Sequence, residues 1–549
     1  AASAAFLFGP PSWPVDPHAS PLVGHDPNVN SPTPALMTQR GARRLPRLAL
    51  LLLCAAYLLP GVVGRDPWRN ADITAFGQMV ALAEGRTVWL NPGLGGVVRD
   101  AALFPHWWGA GVIMAMSPVV DAALAARLAF MFLLAGALAL TWYTTFHLAR
   151  TEAAQPVPFA FGGEADPIDY ARALADAAVL ALMATLGLLQ LGHETTPELA
   201  QLFAVALLSY SLAAAPFRHW QPRVAACAAL LLMSGSGAPS MAMAMGLGSA
   251  VVCARSNYDP VRRFAPWLLA ALIASAALAH ALGAWHWRVA AMSATDLLAI
   301  PRQWAWFLWP AWPMALWTLW RWRRYLMNRH MSVPLVPVIA ALLGSVAMGG
   351  SDRALMLGLP GLAVLAAFAL PTLERSASAA IDWFSMFFFS LSACTIWVIY
   401  ASMQVGVPAK PAANIVRLAP GFVPVFSAVE LLLAAAATMA WLWLVRWRTG
   451  RHREAVWKSL VLPAGGVALC WLLAMTLLLP PLDYARSSRP LVDRIAAHVP
   501  RKGCVAAPHV PPALIAALEH LGRYQVDARP DAGTSAGRCD YLIQVARNA

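Results

Sequence analysis

Few side chains in this chain could do chemistry, and they gather at the ends of apolar runs. The richest stretch, residues 64–116, reads GRDPWRNADITAFGQMVALAEGRTVWLNPGLGGVVRDAALFPHWWGAGVIMAM. It carries Arg65, Asp66, Asp72 and Asp100. A carboxylate here can accept a hydroxyl proton or hold a substrate in line, and Asp72 is the leading candidate. The alternative for Asp72 is an N-cap, since it opens a helical pattern with Ile73, Phe76, Met79, Val80 and Ala83 on one face. Asp66 before Pro67 also suits a turn, and Asp100 beside Arg99 also suits a surface ion pair. A second group, LGHETTPELAQL at 191–202, places His193, Glu194 and Glu198 between two apolar spans, where charge is costly. Glu198 alternatively serves as a first-turn acid behind Pro197. His193 with Glu194 and Glu198 are also candidate divalent-metal ligands, without a spacing as specific as HExxH. Ser351-Asp352-Arg353 forms a third group, and Arg288, Asp296 and Arg302 a fourth. Arg65, Arg302 and Arg353 are candidate phosphate ligands because a planar guanidinium binds two oxygens at once. Snorkelling to lipid headgroups is the alternative for them.

The elements that must position these residues are membrane helices. Of 549 residues, 59% are hydrophobic and only 12% charged, with a mean hydropathy of +0.58. Soluble domains are roughly 45–50% apolar and about 25% charged, so a soluble enzyme, a disordered chain and a fibrous repeat are excluded. The net charge of +13 comes as short Arg clusters between apolar runs rather than as a nucleic-acid face, so no nucleic-acid partner is expected. Runs long enough for a bilayer core fall near 45–63, 122–148, 176–192, 198–215, 222–236, 238–254, 264–284, 303–320, 332–349, 354–371, 379–404, 422–446 and 459–479. The expected fold is therefore a polytopic α-helical membrane protein with about thirteen transmembrane helices.

Arg40, Arg43, Arg44 and Arg47 precede the first span and place the N-terminus in the cytoplasm. Arg150, Arg218 with Arg223, Arg255 with Arg262 and Arg263, Arg321 to Arg324, and Arg446 to Arg453 then fall on the same side by alternation. For a bacterial inner membrane, the loops 64–121, 193–197, 285–302, 350–353 and 405–421 and the tail are then periplasmic. The loop 64–121 is expected to form helices lying along the membrane surface. The segment 481–549 has the pattern of a small α/β domain, with helices at PLVDRIAAHV and PALIAALEHL and strands at CVAAPHV and CDYLIQVA. Cys504 and Cys539 each open a strand in an oxidising compartment, so a disulfide is expected, with two free thiols as the alternative. The other five cysteines lie in apolar runs and read as small buried hydrophobes. Residues 1–36 are Pro-rich and aperiodic, and are expected to be disordered or upstream of a true start at Met37. The transmembrane region is then 37–480.

No Walker motif, no GxGxxG on a strand, no CxxCH and no DxD signature is present, so chemistry driven by a cytosolic nucleotide is not expected. No cofactor is required by these motifs, and a divalent metal is the one that the His193 and Glu194 group would admit.

The first loop resembles that of the GT-C class of membrane glycosyltransferases, in the branch of the lipid A aminoarabinose transferases and protein O-mannosyltransferases. Asp72 matches the first acid, Trp89-Leu-Asn-Pro92 the middle stretch, and Asp100 the acid ahead of Trp107-Trp-Gly-Ala110. DYARSSRPLVDRIAAHVP, GCVAAP and CDYLIQV resemble the C-terminal domain of the aminoarabinose-transferase branch. Two departures stand out. Ile73 follows Asp72 where the family has Glu, and Asp100-Ala-Ala lacks the family's Lys and prolines. The resemblance implies transfer of a sugar from a polyprenyl-phosphate donor to a lipid or glycan acceptor at the periplasmic face. It implies Asp72, Asp100 and, where the family has a second-loop aspartate, Glu198 or Glu194 as catalytic candidates. A non-catalytic protein that binds lipid-linked sugar, or a transporter, is the alternative.

Overall fold

The structure, a computed structural model, describes residues 33–68, 70–98, 102–285, 289–449, 455–532 and 539–545. Each of the thirteen apolar runs carries helix. Among the described residues, six helices are long and apolar enough to cross a bilayer, and seven if the bent pair Lys458–Ala474 and Leu479–Arg486 is one span. The other runs are shorter or broken. The run 303–320 divides between Ala294–Phe307 and Ala311–Arg321, and the run 176–192 between Pro167–Ala184 and Leu186–Leu191.

Local chemistry sets several helix boundaries. The Asp121 carboxylate accepts from Leu124 N at the head of Ala122–Ala149, and Asp166 caps Pro167–Ala184, where Pro167 sits in the first turn. Pro197 likewise opens Pro197–Ala214. Gly406, in the left-handed conformation, ends Arg375–Val405.

The elements sort into two rims. On one, the strap 33–45 binds the 155–176 region and the start of the Lys458–Ala474 helix. Leu45 N donates to Asp176, Val456 N to Gly41 O, and Trp457 Nε1 to Arg43 O. Residues before Met37 belong to this strap: Ala35 is fully buried, and Val157 N donates to its carbonyl. Residues 33–36 are thus ordered as part of the strap, and residues 1–32 lie outside the described residues. The other rim gathers residues 61–68, 193–198, 352–353 and 483–489.

The loop helix Ala71–Ala83 is not a surface helix. It packs between the Leu103–Met116 helix and the Pro512–His520 helix, and nearly all of its length is buried. Its faces join two cores: Phe76, Met79 and Val80 join the main one, while Ile73 and Ala81 join a second with Val505, Ile515 and Leu518. Close approach makes this possible, since a Cβ on Gly77 would lie 2.6 Å from that of Ala516. The expectation of helices lying on lipid missed this second partner, which covers the face that membrane would otherwise take.

That second core belongs to the C-terminal segment. Three parallel strands, Cys504–Ala506, Gln525–Asp527 and Tyr541–Leu542, form a sheet with Cys504–Ala506 in the middle. Gln525–Asp527 is a strand that the sequence pattern did not mark. Cys504 and Cys539 are joined by a disulfide.

Candidate active site

The rim of the first loop holds two arginine–carboxylate clusters joined by the segment 193–198. In the inner cluster, Asp72 lies near the start of the loop helix, but it is not the N-cap, which is Asn70. Its Oδ1 accepts from Thr195 N at 2.7 Å and Thr195 Oγ1 at 2.8 Å. Its Oδ2 accepts from Trp68 N at 3.0 Å and lies 3.5 Å from Arg65 Nη2. Both side chains of the pair are almost fully covered, at 1% and 2% exposure. Arg65 also donates to His193 O at 2.8 Å and stacks over Trp68 at 4.5 Å.

Arg127, inside the Ala122–Ala149 span, donates to the carbonyls of Val62 and Arg65. It thereby fixes the chain from which Arg65 reaches Asp72. Burying an arginine without acceptors is costly at low dielectric, and these two carbonyls supply them to Arg127.

Trp68 is a seat inside the protein. It is 4% exposed, with Arg65 on its ring at 4.5 Å, Arg486 at 4.8 Å, and Nε1 donating to Asp483 at 3.0 Å. The C-terminal segment closes the loop further through Asp66, which takes two bonds from Arg489 (2.6 and 2.8 Å) and one from Ser487. Burial pushes the Asp66 carboxyl up, but the Arg489 and Ser487 bonds outweigh it, leaving the group below the ordinary range. Asp483 goes the other way, raised by burial and then by Asp66.

The outer cluster is built on Arg353. Its Nη2 meets Glu194 at 2.5 Å, and its Nη1 meets Glu198 at 3.2 Å and Thr196 Oγ1 at 3.0 Å. Burial would lower the Arg353 pKa, but Glu198 and then Glu194 raise it by more, so the guanidinium is held charged. Glu194 is tied on its other oxygen by Gln190. Glu198 keeps Oε1 without a hydrogen-bond partner among the described residues, and its side chain is 23% exposed. Beside this cluster, Gln303 donates to Gly350 O at 2.5 Å and also to Asp352. Its neighbour Arg302 is exposed and forms no hydrogen bond or ion pair among the described residues.

Several sequence candidates change role. Arg65 is not open to a substrate phosphate, because it faces inward onto Asp72 and His193 O. His193 and Glu194 are not arranged as metal ligands. Both ring nitrogens of His193 face carbonyls, Leu189 at 2.6 Å and Tyr57 at 2.9 Å, and Glu194 is spent on Arg353 and Gln190. Among the described residues no three His, Cys, Asp or Glu side chains converge as a metal site would require. Burial pushes the His193 imidazole down to about 4, against the pull of those two carbonyls. Asp296 closes a capping box with Ser293 on its own helix. Asp100 and Arg288 lie outside the described residues. Thr195, Asp483 and Arg127 are the residues that sequence reasoning missed. Of these only Arg127 had a signal, as a lone arginine inside an apolar run.

Helix order, a buried first-loop acid and a docked C-terminal sheet define a membrane-embedded protein with the GT-C fold. The chain is similar in structure to ArnT from Cupriavidus metallidurans bound to undecaprenyl phosphate, with a TM-score of 0.56 and 14% identity, covering 86% of this chain and 84% of that one. It is equally similar to the same protein in the apo state, with a TM-score of 0.55 and 14% identity, covering 86% and 83%. No protein-family model and no curated protein matches the chain. At this identity the likeness is one of fold.

Proposed function

We propose that this protein transfers a sugar from a polyprenyl-phosphate donor to a lipid or glycan acceptor at the rim that holds both clusters. On the orientation given by the arginine alternation, that rim is periplasmic, in a bacterial inner membrane. The observation that carries the reading is the coupling of the two clusters. Segment 193–198 donates to Asp72 through Thr195 and contributes Glu194, Thr196 and Glu198 around Arg353, leaving one Glu198 oxygen free. The fold shared with ArnT, solved with undecaprenyl phosphate bound, supports the choice of donor.

The reaction breaks the bond between the anomeric carbon and the phosphate oxygen and forms one to the acceptor oxygen. The phosphate leaves with the electron pair and needs charge stabilisation more than a proton. Arg302, exposed and unpaired, and Arg353, partly exposed, supply that positive charge. Glu198 Oε1 takes the proton of an acceptor hydroxyl, or orients the acceptor where it is itself a phosphate. Asp72 has no lone pair to spare for a proton. It holds the loop helix, Trp68 and Thr195 in register, as a positioning residue. Asp100 stays a candidate for the same loop.

Full engagement of Asp72 also favours a second reading, a non-catalytic protein that binds lipid-linked sugar. Incubating the purified protein with a panel of polyprenyl-phosphate sugars and an extract of bacterial lipid and glycan acceptors separates the two. An enzyme releases polyprenyl phosphate, and Glu198→Gln abolishes the release. A binding protein retains donor with no release in either form.

A further inference from the structure

Among the described residues, three arginines at the far ends of two membrane helices lack the carboxylate partners that four arginines at the loop rim have. At the loop rim Arg65, Arg86, Arg353 and Arg489 each meet a carboxylate. The Ala122–Ala149 helix begins there, with Arg127 on the Val62 and Arg65 carbonyls. Its length, about 1.5 Å per residue, puts Arg150 at the far rim. The Pro197–Ala214 helix runs alongside from Thr196, and the residues after its end, FRHWQPR at 217–223, come up beside Arg150.

Elsewhere on this rim Asp169, Asp259 and Asp382 pair with arginines, but among the described residues no acid pairs with the arginines of this stretch. The Arg150 guanidinium lies over the Phe217 ring at 4.6 Å and the Phe146 ring at 5.4 Å, and its buried Nε has no partner. Arg223 lies over Trp220 at 5.0 Å and Trp267 at 4.8 Å. Arg218 is exposed between them. Among the described residues, the side chains of Arg150, Arg218 and Arg223 form no hydrogen bond and no ion pair. Beneath them His147, 6% exposed, stacks on Phe217 at 5.3 Å, and its Nδ1 also lacks a partner. Burial, and then the like charge of Arg218, lower the Arg150 pKa, so the chain itself supplies no compensation.

A helix C-terminus favours a cation, which accounts for arginines at this end. It does not account for three unpaired guanidiniums over an aromatic floor with a buried, unpartnered imidazole below. Guanidinium forks match phosphate oxygens, aromatic rings settle at headgroup depth, and basic pockets between membrane helices suit anionic headgroups.

We propose that the far ends of these two helices form a seat for the headgroup phosphate of an anionic glycerophospholipid. Arg150 and Arg218 contact the phosphate, Arg223 sits at its edge, and Phe217 is the floor. The seat is separate from the donor site and uses none of its residues.

Native mass spectrometry of the full chain, released from nanodiscs of mixed phosphatidylglycerol and phosphatidylcholine, tests it. The expected result is preferential retention of phosphatidylglycerol, reduced roughly fivefold for each arginine removed in Arg150→Gln/Arg218→Gln. Arg218 is exposed, so Arg218→Gln alone keeps the fold and still loses its roughly fivefold share. Arg255→Gln, at an exposed arginine without an aromatic partner, leaves retention unchanged. Three results would overturn the proposal: equal retention in wild type and variants, parallel loss of both lipids, or displacement of the lipid by millimolar inorganic phosphate. The last would identify a free phosphate as the ligand.

Discussion

The two clusters at the loop rim use the same residue types in opposite ways. The Arg65–Asp72 pair is closed: both side chains are within 2% of full burial, and the Asp72 oxygens are taken by Thr195, Trp68 and Arg65. The Arg353 cluster is open: Arg353 and Glu198 are 26% and 23% exposed, and Glu198 keeps one oxygen free. A carboxylate with every oxygen engaged is a fixed point of the structure, whereas a proton acceptor needs a lone pair that faces the reactant. On the proposed reading, the acid most visible in the sequence is the frame, and the less visible one keeps an oxygen open to a reactant.

The largest effect that could break this comparison is on stability at Asp72. Asp72→Ala leaves Arg65 buried without its counter-charge and should cost about 3–5 kcal/mol, read as a large fall in Tm in detergent. An unchanged Tm would return Asp72 to the list of exposed reactive groups. Opening the Cys504–Cys539 disulfide, which closes a separation of 35 residues, should cost about 3–4 kcal/mol. Because the Pro512–His520 helix backs the loop helix, Cys504→Ser/Cys539→Ser should lower transfer as well as Tm. Loss of Tm with transfer intact would uncouple the C-terminal sheet from the site.

Glu198→Gln sharpens the comparison from the other side. It should leave stability within about 1 kcal/mol, as a partly exposed pair allows, while transfer falls roughly 10²–10⁴-fold. The smallest effect is the acid sensitivity of the Asp66–Arg489 latch. The Asp66 pKa is lowered in the folded state, so its stabilisation is fully present above the ordinary carboxylate value of about 3.9 and is lost as pH falls through the lower folded value. The half-exposed Arg489 limits this to about 1 kcal/mol. A Tm scan below pH 4 should flatten in Asp66→Asn relative to wild type.

Much of the fold was legible because membrane helices announce themselves by composition. Each of the thirteen apolar runs carries helix, and the order of loop motifs pointed to the fold that ArnT shares. What stayed hidden depends on contacts between distant segments. That the loop helix is covered on both faces depends on Ala516 meeting Gly77 across more than four hundred residues, and no periodicity in 71–83 encodes it. Thr195 looks like an ordinary polar residue before Pro197 until its N–H and hydroxyl are seen on Asp72. Arg65 and Arg353 read alike as cations at a rim, and only their partners show which one is sealed. The strap at 33–37 lacks any pattern because backbone hydrogen bonds, not side-chain periodicity, hold it.

The central claim, that chemistry belongs to the open cluster, is tested most directly by a structure of the protein with a polyprenyl phosphate bound. The account predicts phosphate density beside Arg302 and Arg353, facing Glu198 Oε1, with the Asp72 bonds to Thr195 and Trp68 intact. Phosphate seated on Arg65 with Asp72 turned out toward it, or no lipid phosphate at this rim, would contradict it.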